Sequence, residues 1–192
     1  MTVLIDNGHG RDCPGKRSPD GLFREWSWCR DVAEIVVETL KAQGIRAIQI
    51  VPEENDILLG ERVRRANNYA RTDKDTVLVS IHVNAAGDGV RWNMAQGWQI
   101  HTYQSPSAAS VKLAESIFDE AWKRSFYCRK PMPLQKYWPK NLKILRETTC
   151  PAVLVENFFM DNRQDVQYLL SPNSIYECAE VIVDGVKKYF GK

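Results

Sequence analysis

TVLIDNGHG, residues 2–10, begins as an apolar, β-branched run and then breaks into Asp6, Asn7 and a histidine set between two glycines. The run TVLID reads as a short buried strand, and Asn7 to about Arg24 as a polar loop rich in Gly and Pro. A glycine on each side of His9 lets the backbone turn sharply and leaves the imidazole uncrowded. On these residues alone, a plain strand-ending turn is an equal alternative.

Outward from this stretch the periodicity changes. From Glu25, apolar side chains at Val32, Ile35, Val36 and Leu40 recur at helical spacing, and Gly44 stops the helix. IRAIQIV (45–51) reads as a strand closed by Pro52, residues 57–70 as a helix, and TVLVSIHV (76–83) as a third strand. Strand, helix, strand, helix, strand is the pattern of a parallel sheet covered by helices, with right-handed crossovers. The second half predicts a strand at 97–103, a helix over 107–124 and an irregular stretch from Phe126 to Asn141. Strands at 142–146 (LKILR) and 151–156 (PAVLVE) follow, then helices over 161–170 and 174–190. The expected fold is a single α/β domain over residues 1–192, a mostly parallel, mixed twisted sheet of about six strands with helices on both faces.

At 192 residues the chain is long enough to bury a core without metal or disulfide staples, so a bound metal is expected to serve chemistry. Its net charge of +2 comes from 26 basic and 24 acidic residues with no basic block, which argues against nucleic acid as a partner. Five cysteines without a C-x-x-C pair imply reduced thiols and synthesis in the cytosol. Cys13, without a second thiol nearby, is a poor ligand candidate. The N-terminus lacks a basic region and apolar core of the signal-peptide kind, and no run approaches the ~20 apolar residues of a membrane span.

Chemistry-bearing residues stand at matching places in this pattern. His9 follows the first strand, His82 lies near the end of the third, and Glu156 ends PAVLVE. In an open parallel sheet these positions share the carboxyl edge, where ligands bind. A core imidazole accounts for His82 and a salt-bridged strand end for Glu156, but three such residues on one edge point to a site. A carboxylate ending an apolar strand resists burial without a cation. Catalytic zinc takes three protein ligands of imidazole and carboxylate type and leaves the fourth position open. Glu25, opening the first long helix, is the candidate third ligand, with an ordinary first-turn acid as the open alternative. Glu156 is then the residue that moves protons in amide hydrolysis.

IDNGHG, the Glu of REW, ENDILLGERVRRANNYA, VSIHVNA and CPAVLVENFFMDNRQD occur in the order found in the zinc-dependent type 3 N-acetylmuramoyl-L-alanine amidases, a family the chain resembles over nearly its whole length. The resemblance implies one zinc ion held by His9, Glu25 and His82, Glu156 as catalytic glutamate, and peptidoglycan or a muropeptide as substrate. The scissile bond implied is the amide between N-acetylmuramic acid and the first L-alanine of the stem peptide. Asn7 stands where the family usually has proline, and Val51–Pro52 where an arginine is common. Alternatives are a zinc carboxypeptidase-like peptidase and an inactive cell-wall-binding module. A monomer, synthesised in the cytosol and acting on the wall if exported or released, is expected. Four features are read as structural: His101 as a strand histidine with a backbone partner, Asn84 as a turn former, and Trp26 and Trp28 as packing residues. The segment 127–138 is read equally as a groove wall or a surface loop.

Overall fold

The computed structural model describes residues 1–192 as one six-stranded sheet with helices on both faces. In chain order the elements are β1 (Thr2–Asn7), α1 (Glu25–Ala42), β2 (Arg46–Gln49), α2 (Leu59–Thr72), β3 (Thr76–Asn84) and β4 (Gln99–Tyr103). There follow α3 (Ala108–Lys123), β5 (Trp138–Lys140), α4 (Lys143–Glu147), β6 (Ala152–Phe159), α5 (Arg163–Leu169) and α6 (Pro172–Phe190). The strand order is β2-β1-β3-β6-β4-β5. Neighbours are parallel except β4 against β6, which makes the sheet mixed as expected.

Alternation along the central strands divides the core into two layers, because successive strand residues point to opposite faces. Val3, Ile5, Val77 and Val79 pack with Val32 of α1 and Ile182 of α6 in the larger cluster. Leu4, Leu78 and Leu154 pack with Val63 of α2 and with Ile144 and Leu145 of α4 in the smaller one. No helix is long and apolar enough to cross a membrane.

Two expectations are corrected. LKILR is not a strand but the start of α4, because Ile144 and Leu145, adjacent in sequence, are both buried in the same layer. Consecutive residues reach one layer from a helical turn and not from a pleated strand. The added strand is instead β5, inside the stretch read as irregular, where Trp138 to Lys140 pair with His101 to Tyr103. The second correction concerns Glu156, which does not end its strand. His82 aligns with Glu156 but Asn84 with Phe159, so β6 carries an extra residue, and Phe158 adopts φ 67°. This is a β-bulge immediately after Glu156, of the sort that re-aims side chains beside functional sites.

Candidate active site

The turn after β1 is built differently from the expectation that its glycines supply the bend. Neither Gly8 nor Gly10 has positive φ; His9 itself is left-handed, at φ 58°. The glycines are required by close approach. A Cβ on Gly8 would lie 2.5 Å from His82 Nδ1, and one on Gly10 would lie 1.9 Å from the backbone nitrogen of Asp56. His9 pays for its conformation with hydrogen bonds at its carbonyl, which accepts from Arg30 Nη2 at 3.0 Å and from Arg62 Nη2 at 3.5 Å.

Arg62 is buried on α2 and anchors the end of β1. It donates to Asp6 Oδ1 at 2.7 Å, to the Asn7 carbonyl at 2.6 Å and to Asp56 Oδ1 at 2.9 Å. The other oxygen of Asp6 accepts from Ser80 Oγ of β3 at 2.6 Å. A buried guanidinium is thereby paired on several sides, the condition under which a buried charge is tolerated.

Glu25 enters from the first turn of α1, where the aligned peptide dipoles favour an anion. Its carboxylate is 1% exposed and lies between the two histidines. Oε1 accepts from the Val83 amide at 3.0 Å and stands 3.1 Å from His82 Nδ1, while Oε2 is 3.5 Å from His9 Nε2. The two imidazoles meet edge to face with centroids 5.0 Å apart. One donor atom from each of His9, Glu25 and His82 lies within 4.8 Å of the others. A tetrahedral ion with ligand bonds of ~2.0–2.1 Å sets its donors about 3.3 Å apart, and the Glu25 oxygens stand 3.1 Å from His82 and 3.5 Å from His9. Glu25 Oε2 is buried without a hydrogen-bond partner. Two imidazoles and a carboxylate with an unpaired buried oxygen together fit a divalent cation. Cys13 is not part of the cluster.

Glu156 stands beside this cluster, aligned with His82 on the neighbouring strand, a spacing of about 4.8 Å. Its Oε2 is also buried and unpartnered. Burial pushes its carboxyl up to about 7, the negative charge of Glu25 adds to the rise, and His82 opposes it. For His9, burial is the leading influence and lowers the ring to about 4. Burial also disfavours charge on both Glu25 and His82, but their mutual hydrogen bond and attraction overcome it. Glu25 is lowered and His82 raised. A cavity of about 270 Å³ opens beside the histidines toward α2 and α4.

The other residues singled out in the sequence have structural partners. His101 is buried and pairs with a side chain, not the backbone: its Nε2 lies 2.8 Å from the Gln99 amide nitrogen. Asn84 is not a turn residue but the end of β3, where its Oδ1 accepts from the adjoining Ala85 amide at 2.8 Å. Trp28 is buried in the core and Trp26 lies under the Arg30 guanidinium. In the segment 127–138, Leu134 is exposed and Trp138 joins the sheet. The sequence reading missed Arg30 and Lys143, whose positions follow from helix packing rather than from any local motif.

The sheet's carboxyl edge thus carries a two-histidine, one-glutamate cluster with a second buried carboxylate alongside, the arrangement of a metal-assisted hydrolase. The chain belongs to the Amidase_3 family of N-acetylmuramoyl-L-alanine amidases, whose sequence profile matches residues 3–188. It is 27% identical to the endolysin of Bacillus phage SPP1, over 96% of this chain and 64% of that protein. It is 29% identical to the N-acetylmuramoyl-L-alanine amidase LytC of Bacillus subtilis, over 98% of this chain and 35% of that protein. The chain therefore spans about one third to two thirds of the length of these curated relatives. The crystal structure of an N-acetylmuramoyl-L-alanine amidase from Clostridium difficile 630 superposes with a TM-score of 0.86 at 27% identity, covering 100% of this chain and 97% of that one. The catalytic domain of CwlV from Bacillus (Paenibacillus) polymyxa, at 24% identity, shares the fold with a TM-score of 0.83 over 100% of this chain and 98% of its own.

Proposed function

We propose that residues 1–192 form one catalytic domain that hydrolyses the amide between N-acetylmuramic acid and the L-alanine of the peptidoglycan stem, using one zinc ion. His9, Glu25 and His82 are the ligands in this reading, and Glu156 is the catalytic carboxylate. The observation that carries it is the convergence of His9, Glu25 and His82 beside Glu156 in a chain matched by the amidase profile over residues 3–188. When bound, the ion supplies a Lewis acid that acidifies a water and polarises the scissile carbonyl. Glu156 accepts the proton of the attacking water on its carboxylate and then returns it to the departing alanine nitrogen. Its buried Oε2, which has no hydrogen-bond partner, leaves the carboxylate free to make both transfers. The left-handed turn at His9 aims its imidazole at the same point as His82.

A carboxypeptidase-like reading calls for an arginine free to clamp a terminal carboxylate. Arg62, the guanidinium lining the cavity, is already bound to Asp6 and Asp56. An inactive wall-binding module has no use for a buried, unpaired Glu156. All four proposed site residues come from one chain, which supports a working monomer. The named relatives include a phage endolysin and N-acetylmuramoyl-L-alanine amidases, in keeping with action on the wall outside the cytoplasm.

The test is incubation of the purified protein with peptidoglycan, with and without a chelator, followed by mass spectrometry. Stem peptides with a new L-alanine amino terminus, lost on chelation and restored by zinc, are expected. Cuts confined to the glycan or to the interior of the stem would overturn the proposal.

A further inference from the structure

The cavity beside the histidines is chemically lopsided. One wall is apolar, made by Ile57, Leu59, Leu142, Ile144 and Leu154. Apart from the histidines, its charged lining consists of Asp6, Asp56, Arg62 and Lys143. Arg62 is consumed by Asp6 at 2.7 Å, by Asp56 at 2.9 Å and by main-chain carbonyls. Lys143 is not so engaged: its closest carboxylate is Glu147, one helical turn on, at 3.8 Å. Its side chain leaves the head of α4 and crosses toward α2, since a Cβ on Gly60 would lie 3.7 Å from Nζ. Lys143 thus lines the cavity without a short ion pair, its ammonium lying beside Gly60 in the first turn of α2.

This combination selects among the parts of a muropeptide. Sugar rings are held by aromatic faces and dense hydrogen bonding, and no Trp, Tyr or Phe lines the cavity. A volume of about 270 Å³ suits one or two amino-acid residues rather than a glycan strand. An apolar wall with one cation suits a short acidic peptide, which places a methyl group on the wall and a carboxylate at the ammonium.

Resting on the amidase reading above, we propose that this cavity is the subsite for the stem peptide and that Lys143 recognises a carboxylate on the residue following L-alanine. Lys143 is then a determinant of specificity, distinguishing a free acid from an amidated stem, while the glycan lies outside the cavity. A charge-assisted contact at a partly exposed rim is worth about tenfold in discrimination.

Two small substrates test this: N-acetylmuramoyl-L-alanyl-D-glutamic acid and the corresponding D-glutamic diamide. The wild-type zinc enzyme is expected to favour the acid about tenfold in kcat/KM, mainly through KM. Lys143→Met should lower the value for the acid until the two substrates converge, and Lys143→Arg should restore the preference. An unchanged acid-to-diamide ratio in Lys143→Met, or equal loss on both substrates, overturns the assignment. If neither compound is turned over, the peptidoglycan assay described above decides the amidase reading instead. The subsite is then decided by calorimetric binding of L-alanyl-D-glutamate and its diamide to zinc-loaded wild-type and Lys143→Met proteins. Tighter binding of the acid only in the wild type supports it, and equal affinities refute it.

Discussion

Arg30 Nη2 donates to the carbonyl of His9 over 3.0 Å, while Glu25, earlier on the same helix, faces the ring of that histidine at 3.5 Å. A single helix thus fixes both the main chain and the side chain of one proposed ligand. His9 needs that support, because a non-glycine residue at φ 58° is held there only by its surroundings. Arg30 is itself tied down by two bonds to the Glu53 carbonyl, at 3.0 and 2.6 Å.

Arg30→Met keeps the aliphatic stem and removes the donors to His9 and Glu53. Groups that orient metal ligands contribute about 10- to 100-fold in metal affinity. Zinc affinity of Arg30→Met, measured by competition with a chromophoric chelator, is expected to fall at least about tenfold. The fold should survive, since no buried carboxylate loses its partner. Unchanged affinity with normal thermal unfolding would show that His9 holds its conformation without Arg30.

Glu156→Gln separates proton transfer from metal binding. Metal content should match the wild type, and kcat should fall by about 10²–10⁴, the range of a lost general acid–base group. Stability moves in the opposite direction. The folded carboxyl titrates at about 7, burial being the main cause, against 4.5 for the ordinary group. Between those values the folded state binds more proton than the unfolded state, so the metal-free protein loses stability as pH rises through that window. Glutamine removes the penalty, and metal-free Glu156→Gln is expected to melt above the wild type at pH 8. Normal turnover would remove Glu156 from proton transfer, and equal melting temperatures at pH 8 would show that burial does not raise its carboxyl.

The readable parts of this fold are those in which local pattern and burial agree. TVLID and TVLVSIHV are short apolar runs because central parallel strands are covered on both faces, and α1 announces itself by its period and by Gly44. Glu25, His9 and His82 were legible because each opens or ends an element whose position in the sheet follows from topology. What was not legible depends on partners distant in sequence. LKILR has a strand-like composition, yet the edge place beside β4 is taken by Trp138 to Lys140. The strand continuing past Glu156 contains a left-handed Phe158, which no propensity suggests. Likewise Gly10 is required by Asp56, a residue brought against it only by the folded loop.

Arg62 and Asp6 form a buried pair at 2.7 Å, each no more than 2% exposed. Removing one member leaves the other charged and uncompensated, which costs about 3–5 kcal/mol. Arg62→Met is expected to lower unfolding free energy by that amount in urea titration and to release the turn that carries His9. Asp6→Asn combined with Arg62→Met should recover a substantial part of the loss, since no lone charge remains buried. Purely additive losses in the double variant would show that the two residues act independently.

His101 provides a pH test that is separate from the proposed metal ligands. The ring is 5% exposed, and its Nε2 lies against the Gln99 amide nitrogen at 2.8 Å, so Nε2 accepts and the proton resides on Nδ1, which has no partner. Burial foremost, with the positive charges of Lys140 and His82, lowers this histidine from 6.5 to about 3. Between those values the unfolded chain binds a proton that the folded chain refuses, so stability falls as pH falls. At pH 5 the loss from this residue is about 2 kcal/mol, at ~1.4 kcal/mol per pH unit below the unfolded value. His9, lowered to about 4, adds a loss of the same sign in metal-free protein. Urea titrations of metal-free wild type and His101→Gln at pH 7.5 and pH 5 isolate the first term. The fall in unfolding free energy between the two pH values should be about 2 kcal/mol smaller in the variant. If the two proteins lose stability equally on acidification, the His101 ring is already able to take up a proton within the fold, through a partner for Nδ1 or through access to solvent.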